Sequence, residues 1–209
     1  LQDLAQEAQP TANTHADFMR SFMNISLKNR STVVDLDRWT QLGDLVLTGP
    51  PDPSTWWIGF DVAIDLSSAS IWCAGMDEAG QVGMAPIEVR DGTDWLVPVI
   101  SELHRAGWKI AADDDGEART TTDALNRAGV PVKTMGVRES DLAWSDLKAR
   151  IKNGTVHHTG SAAFAGALAA AVERPAGDIM RLSRRHSRRP IDPLMAGLAA
   201  LHHATRPAD

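Results

Sequence analysis

The chain has 209 residues, of which 43% are hydrophobic and 23% charged, and its formal net charge is -6 at pH 7. This length predicts one globular core with an appended segment rather than two full domains. No apolar run approaches the roughly 18 residues needed to cross a bilayer, and the amino terminus lacks the basic-then-apolar order of a secretory signal, so we expect a soluble intracellular protein without a membrane partner. The single cysteine, Cys73, excludes an intramolecular disulfide and a cysteine-cluster metal site.

The first part of the chain predicts a helical and linker segment. Phe18, Phe22 and Ile25 have helical spacing, which predicts a helix over residues 14–29, and a second short helix is predicted over residues 35–42. The proline-rich run at residues 49–53 then breaks regular structure. We therefore divide the chain into a segment at 1–52 and a main domain at 53–209. Because the chain begins at Leu1 rather than at a methionine, we expect it to be a fragment of a longer protein.

The main domain opens with three predicted strands, at residues 57–64, 69–76 and 82–90, the first two forming an antiparallel pair. Alternating elements follow: a helix at 94–106, a strand at 108–113, a helix at 117–128 and a strand at 130–134. The remainder predicts a helix at 139–152, a short extended piece at 155–158, an alanine-rich helix at 161–173, a strand pair or loop at 177–185, and a helix at 192–205. This order predicts an α/β fold with a mixed five-stranded sheet flanked by helices.

Three aspartates carry the chemical prediction. Asp61 lies inside the first strand, Asp113 ends the fourth and Asp192 begins the last helix. A buried carboxylate is costly unless it is paired or bound to a metal. We expect the fourth strand to lie beside the first, which brings the three together as oxygen ligands for Mg²⁺ or Mn²⁺. Taken singly, Asp192 could be a helix N-cap and Asp113 part of a solvated turn.

A basic cluster precedes the last helix in this otherwise acidic chain. It is predicted either to grip DNA phosphates or to form a solvated loop. Its arginines are Arg181, Arg184, Arg185, Arg188 and Arg189. The adjacent histidine pairs at 157–158 and 202–203 are predicted to have structural or exposed roles, since neighbouring residues on a strand point to opposite faces.

Short motifs over about residues 57–204 resemble the carboxy-terminal nuclease domain of the terminase large subunit of tailed bacteriophages, which has a ribonuclease H-like fold. Gly59-Phe60-Asp61 and the small residues after it resemble the first-strand motif of that family. The run from Asp113 to Gly116 resembles its Asp-x-x-Gly, and Asp192-Pro-Leu-Met-Ala196 resembles its Asp-x-x-x-Ala helix.

The resemblance implies a two-metal-ion endonuclease that cuts concatemeric viral DNA during genome packaging. It implies that Asp61, Asp113 and Asp192 are the catalytic metal ligands, with Asp114 as an alternative to Asp113. Asp65 is either a second carboxylate supporting the site or a turn residue. The implied partners are double-stranded DNA, an ATPase domain, a portal and a small terminase subunit, in the cytoplasm of an infected bacterial host.

The chain contains no Gly-x-x-x-x-Gly-Lys-Ser/Thr phosphate loop, so it is not itself the packaging motor. We expect that it is an isolated nuclease domain, or that the ATPase was lost or lies on another chain. Two alternatives stay open: another ribonuclease H-like DNA enzyme, such as a junction resolvase or strand transferase, and a catalytically silent DNA-binding or assembly module.

Overall fold

The computed structural model describes residues 32–47 and 51–206 of the chain. In chain order these residues form α1 (Leu36–Gln41), β1 (Trp56–Val62), β2 (Ser68–Met76), β3 (Val82–Asp91), α2 (Leu96–Arg105), β4 (Lys109–Asp113), α3 (Ala118–Arg127), β5 (Val132–Met135), α4 (Val137–Asn153), β6 (Val156–His158), α5 (Ala162–Ala170), β7 (Glu173–Ala176), β8 (Ile179–Leu182) and α6 (Asp192–Ala204). The helix predicted over residues 14–29 lies outside the described residues.

Within the described residues, one mixed sheet has six strands in the order β5-β4-β1-β2-β3-β6. β1 pairs antiparallel with β2 and parallel with β4, which confirms the two predicted neighbours of the first strand. The sheet has one strand more than predicted, because the short extended piece became β6, which pairs parallel with β3. Three residues are too few to show the alternation that identifies a strand in a sequence.

Helices cover both faces of the sheet, and side chains of the central strands alternate between the two faces. Ile58, Phe60 and Val62 of β1 belong to a buried cluster that includes Leu96 of α2 and Leu125 of α3. The opposite face packs against α1, α4, α5 and α6. Both faces of β1 are therefore buried, which explains the nearly continuous apolar sequence of this strand.

Helix α6 packs directly on β1 because residue 59 has no side chain. A Cβ on Gly59 would overlap the carbonyl oxygen of Ala196. The alternation that turns Gly59 toward α6 also turns Asp61 toward it. In β4, Ala111 belongs to the cluster on the α6 side, so Asp113, two residues later, faces the same way. Asp61 and Asp113 thus lie on one face of neighbouring strands.

The helices predicted at 94–106, 117–128, 139–152 and 192–205 are confirmed, with ends that differ by two residues or fewer. The alanine-rich helix is shorter than predicted: it ends at Ala170, and Ala171 is already extended with ψ 138°. The backbone leaves the helix at this point and enters β7, which begins at Glu173. The prediction of a strand pair or loop at 177–185 is only partly correct: residues 179–182 form β8, residues 183–185 are loop, and the antiparallel partner β7 lies before this range, where helix was predicted up to residue 173.

The predicted short helix near residue 35 is confirmed as α1, whose first turn is capped by the Asp35 side chain accepting from the Arg38 N–H. Trp39 is 2% exposed and stacks on the rings of His158 at 3.8 Å and Phe164 at 4.9 Å. Helix α1 therefore packs on the core beside β6 and α5, while the division at residues 52 and 53 stays a prediction. No helix in the described ranges is long and apolar enough to cross a membrane.

Candidate metal centre

The three aspartates lie close together on the α6-facing side of the sheet. The Arg184 guanidinium donates to Asp61 Oδ2 and to Asp113 Oδ2, so it joins the first two carboxylates. Ser70, the register partner of Asp61, donates to Asp192 Oδ2 and so connects the third carboxylate to β2. The structure therefore brings together the three residues that the sequence singles out.

Asp61 is completely buried. Burial raises the pKa of its carboxyl from 3.8 to about 7, Arg184 opposes this rise, and the charges of Asp113 and Asp192 add to it. Loss of water disfavours the ionised form, and neighbouring carboxylates disfavour it further. The site therefore favours a proton or a cation beside Asp61.

Asp113 is buried, whereas the adjacent Asp114 is exposed. Burial raises the pKa of Asp113, and the Arg184 charge acts against this rise. Asp113 Oδ2 accepts a hydrogen bond of 2.9 Å from Arg184 Nη2. Of the two candidate aspartates at this position, Asp113 is thus the one whose side chain lies beside Asp61.

Asp192 is the first residue of α6, and Ile191 occupies the N-cap position, so Asp192 is not the helix cap. Its two oxygens accept hydrogen bonds from Ser68 Oγ at 3.0 Å and Ser70 Oγ at 2.6 Å. Burial raises the pKa of Asp192, and the two hydroxyl groups lower it. The role of these serines is missing from the sequence interpretation, although residues 68 and 70 share a face of β2 by strand periodicity.

Asp65 lies in the exposed turn between β1 and β2. Its Oδ1 accepts hydrogen bonds from the backbone N–H and the hydroxyl of Ser67, which lower the pKa of Asp65. A side chain that bonds its own backbone two residues on is typical of a turn residue.

The basic cluster divides into two groups. Arg181 donates three hydrogen bonds to the carboxylate of Asp141, and Arg184 is held by the two site carboxylates. The other three arginines are exposed on the loop before α6; they are Arg185, Arg188 and Arg189. The exposed arginines are the ones free to meet a phosphate in this arrangement.

Two clefts flank the Arg184 side chain, which lines both. The first has a volume of about 450 Å³, and Asp113, Arg174 and Arg181 are among its lining residues. The second has a volume of about 300 Å³, and its lining includes Asp192 together with Arg185, Arg188 and Arg189. Acidic and basic side chains therefore share the same surface, as a site that binds both a cation and a polyanion requires.

The donor chemistry of the aspartates fits a hard divalent cation. Asp61 Oδ1 and Asp113 Oδ1 are buried without a hydrogen-bond partner among the described residues. Mg²⁺ and Mn²⁺ prefer such carboxylate oxygens. Over residues 32–47 and 51–206, however, no three acidic, histidine or cysteine side chains are already arranged around one ion position. Arg184 supplies the positive charge in this arrangement.

The two histidine pairs lie away from these carboxylates. His158 is buried with its Nε2 2.8 Å from Trp39 O, and His157 Nδ1 lies 2.7 Å from Asp44 Oδ1. His203 stacks on Trp57 with ring centroids 4.9 Å apart. Packing and local pairing account for these contacts, in agreement with the predicted structural or exposed roles.

No protein-family model and no curated protein sequence matches the chain. Among solved structures, the large terminase of bacteriophage HK97 superposes with a TM-score of 0.67 at 16% identity, over 92% of this chain and 48% of that one. The chain therefore spans about half the length of the HK97 protein.

Two isolated nuclease domains give similar results. The large terminase nuclease from thermophilic phage G20c with bound magnesium has a TM-score of 0.52 at 17% identity, over 70% of this chain and 80% of that one. The large terminase nuclease domain from bacteriophage SPP1 with bound Mn has a TM-score of 0.51 at 12% identity, over 71% and 86%. These likenesses confirm the predicted structural class: the chain has the ribonuclease H-like mixed α/β fold of the phage large terminase nuclease domains.

Proposed function

We propose that this chain is a divalent-metal-dependent DNA endonuclease that cuts concatemeric viral DNA during genome packaging. The observation that carries the proposal is the convergence of Asp61, Asp113 and Asp192, from β1, β4 and α6, with Asp113 lining the first cleft and Asp192 the second. Their burial is costly without a cation. The bound magnesium and manganese in the G20c and SPP1 nucleases support the same choice of ion.

Asp61, Asp113 and Asp192 would hold two Mg²⁺ or Mn²⁺ ions. Such a pair, when bound, activates an attacking water and stabilises the leaving oxygen of a phosphodiester. The protein contributes the orientation of the carboxylates: strand pairing fixes Asp61 beside Asp113, and hydroxyl groups of β2 hold Asp192. Rigid placement on strands and a helix favours this chemistry, because ligand positions then need little reorganisation.

The proposed DNA contacts are backbone contacts from the exposed arginines of the loop before α6. Arg185, Arg188 and Arg189 line the second cleft together with Asp192, so a phosphate held there would lie next to the metal ligands. Arg181 and Arg184 stay predicted DNA contacts, although both are paired with carboxylates in this arrangement.

The wider assembly is also a proposal. Terminase function would require an ATPase domain, a portal and a small terminase subunit, within an infected bacterial cell. The chain covers about half of the HK97 large terminase, which is consistent with a nuclease working beside a separate motor region.

A catalytically silent DNA-binding or assembly module is the second candidate. The observation in its favour is that Arg184 already pairs with two of the three carboxylates. In that case the ion pairs would be structural and the protein would bind DNA without cutting it.

A plasmid cleavage assay tests the proposal. We expect the wild type to convert supercoiled plasmid to nicked and linear forms with Mg²⁺ or Mn²⁺ and not with EDTA. Asp61→Ala and the Asn variants of Asp61, Asp113 and Asp192 should lose cleavage by about a thousandfold, because each removes a ligand worth several kcal/mol at the transition state.

The exposed Asp123→Asn in α3 is the matched control and should cleave normally. Metal-independent DNA binding without cleavage would favour the silent module instead. Strong preference for four-way junctions would indicate a resolvase. Asp65→Asn distinguishes the two predicted roles of Asp65. If Asp65 is a turn residue, the variant keeps its cleavage activity; if it is a carboxylate that supports the site, cleavage falls.

A salt titration tests the DNA interface. Replacing Arg185, Arg188 and Arg189 with Gln should weaken binding to any duplex sequence and reduce the salt slope by about two to three units, because each phosphate contact releases counterions. A slope equal to that of the wild type would remove these arginines from the interface.

A further inference from the structure

Arg184 is a buried cation between two of the proposed metal ligands. Its Nη1 donates to Asp61 Oδ2, its Nη2 lies 2.9 Å from Asp113 Oδ2, and only 16% of its side chain is exposed. Two buried carboxylates need a compensating positive charge, and Arg184 provides it here. The guanidinium therefore occupies one oxygen of each carboxylate, beside the Oδ1 atoms that stay without a partner.

The backbone that carries Arg184 is fixed on both sides. The Ser183 N–H donates to Val172 O, and the Arg188 N–H donates to Ala170 O. These bonds tie the loop to the chain between α5 and β7. With the backbone anchored in this way, rotation of the side chain is the simplest route by which the guanidinium can leave the carboxylates.

Both clefts offer space for that rotation. Arg184 lines the cleft of about 450 Å³ that contains Asp113 and also the cleft of about 300 Å³ that contains Asp192. A long arginine side chain with several rotatable bonds can reach either cleft from a fixed backbone. The partly open surroundings allow water to solvate the guanidinium once it leaves the carboxylates.

We propose that Arg184 is an internal competitor of the divalent cation. It neutralises Asp61 and Asp113 while the metal is absent, and it leaves them when the metal binds. The inference rests on the proposed function, because it takes these two aspartates as metal ligands. The guanidinium and the metal compete for the same two carboxylates, so the ion pairs reduce the apparent affinity for the metal. In the metal-free protein the guanidinium compensates the negative charges of both carboxylates.

Calorimetric titration of the DNA-free protein with Mn²⁺ tests this inference. We expect Arg184→Met to bind Mn²⁺ about tenfold more tightly than the wild type, since charge-assisted hydrogen bonds no longer have to be broken. Arg105→Met is the matched control, because Arg105 is exposed at the end of α2, and it should bind Mn²⁺ as the wild type does.

Thermal unfolding gives a second readout. Without metal, Arg184→Met should melt below the wild type, because it leaves two buried carboxylates unpaired. With saturating Mn²⁺ this difference should shrink, since the metal then replaces the guanidinium. Arg184→Lys keeps the positive charge but cannot bond Asp61 and Asp113 at the same time through one planar group. We expect it to have intermediate Mn²⁺ affinity. If Arg184→Met fails to fold, this variant tests whether Arg184 competes with the metal.

Equal or weaker Mn²⁺ binding by both variants overturns the inference. If the wild type still binds Mn²⁺ and cleaves DNA in that case, the proposed function survives and only the role of Arg184 is lost. If the wild type binds no Mn²⁺, the proposed metal site and the inference both fall.

Discussion

The two ends of α6 both bury ionisable groups, but in different ways. At the first end, Asp192 accepts hydrogen bonds from two hydroxyl groups of β2, its charge acts on the buried Asp61 of β1, and it lines the second cleft. At the other end, His202 is buried and His203 is half-buried, and burial lowers both pKa values, that of His203 to about 4. Burial alone therefore does not identify a site. The distinguishing features of the first end are convergence of like charges from several elements and access from a cleft.

The two ends of α6 also differ in how the energetic cost of burying an ionisable group is offset. The charge of a buried aspartate is relieved only when a cation compensates it or a proton neutralises it, so the aspartate cluster favours a ligand. The histidines become neutral and pack: His203 stacks on Trp57, and His202 Nε2 lies 3.6 Å from Glu139 Oε1. A neutral ring needs no counterion, which makes the second end a structural element.

The close packing of α6 on β1 fixes the position of both ends of this helix. The variant Gly59→Ala tests this packing. The new Cβ would overlap the backbone of α6 near Ala196 and Ala200. We expect a loss of about 3 kcal/mol in the free energy of unfolding, because backbone cannot move aside as a flexible side chain does. Urea denaturation measures this loss.

Gly166→Ala in α5 is the control, since nothing lies within 4 Å of the added Cβ, and alanine there should be neutral or stabilising by up to about 1 kcal/mol. If Gly59→Ala had no effect, the close packing of α6 would not determine the position of either end.

Ser70→Ala should affect the first end alone. It removes the 2.6 Å hydrogen bond to Asp192 Oδ2 and leaves the 3.0 Å bond from Ser68. We expect Mn²⁺ affinity to fall about tenfold, as is typical when the partner of a metal ligand is lost. Calorimetric titration measures the change.

The pKa of His203, followed by NMR, should stay the same in Ser70→Ala, because it depends on the distant end of the helix. Ser101→Ala in α2, which removes a hydroxyl bonded to Val97 O, is the matched control. Mn²⁺ affinity equal to that of the wild type would mean that Ser70 does not position Asp192.

The pH dependence of stability should have opposite signs at the two ends. The pKa of Asp61 is raised to about 7, so the folded state gains a proton before the unfolded state and stability rises as pH falls from 7 to 4. The pKa of His203 is lowered to about 4, so the unfolded state gains a proton first and stability falls as pH drops below about 6.5.

Metal-free Asp61→Asn should therefore lose stability more steeply on acidification than the wild type, and His203→Gln less steeply, each by roughly 3 kcal/mol over this window. At pH 7 Asp61→Asn should be as stable as the wild type or more so. Urea denaturation between pH 4 and 7 in EDTA measures these slopes, and parallel curves for all three proteins would contradict the assigned causes.

Local patterns were sufficient for much of the fold. Apolar runs rich in β-branched residues predict β1 to β5. The glycine at position 129 predicts the end of α3, and in the structure Gly129 follows the helix with a φ of +79°. The sequence does not predict a place in the sheet for strand β6, because its three residues pair with β3 residues that lie about 70 positions earlier in the chain. The sequence also does not predict the early end of α5, since alanines continue the helical pattern beyond Ala170, where the helix ends.

The positions of Asp61, Asp113 and Asp192 follow from the sequence, because strand alternation and helix starts are local properties that a few neighbouring residues set. The groups that contact these carboxylates do not. Arg184 is 123 residues from Asp61 and 71 from Asp113, and Ser70 is 122 residues from Asp192. In a linear pattern Arg184 is one member of a basic run. Packing of α6 on β1 and the hydrogen bonds of the preceding loop turn it inward while its neighbours stay in water, and such a choice depends on contacts that exist only after the chain has folded.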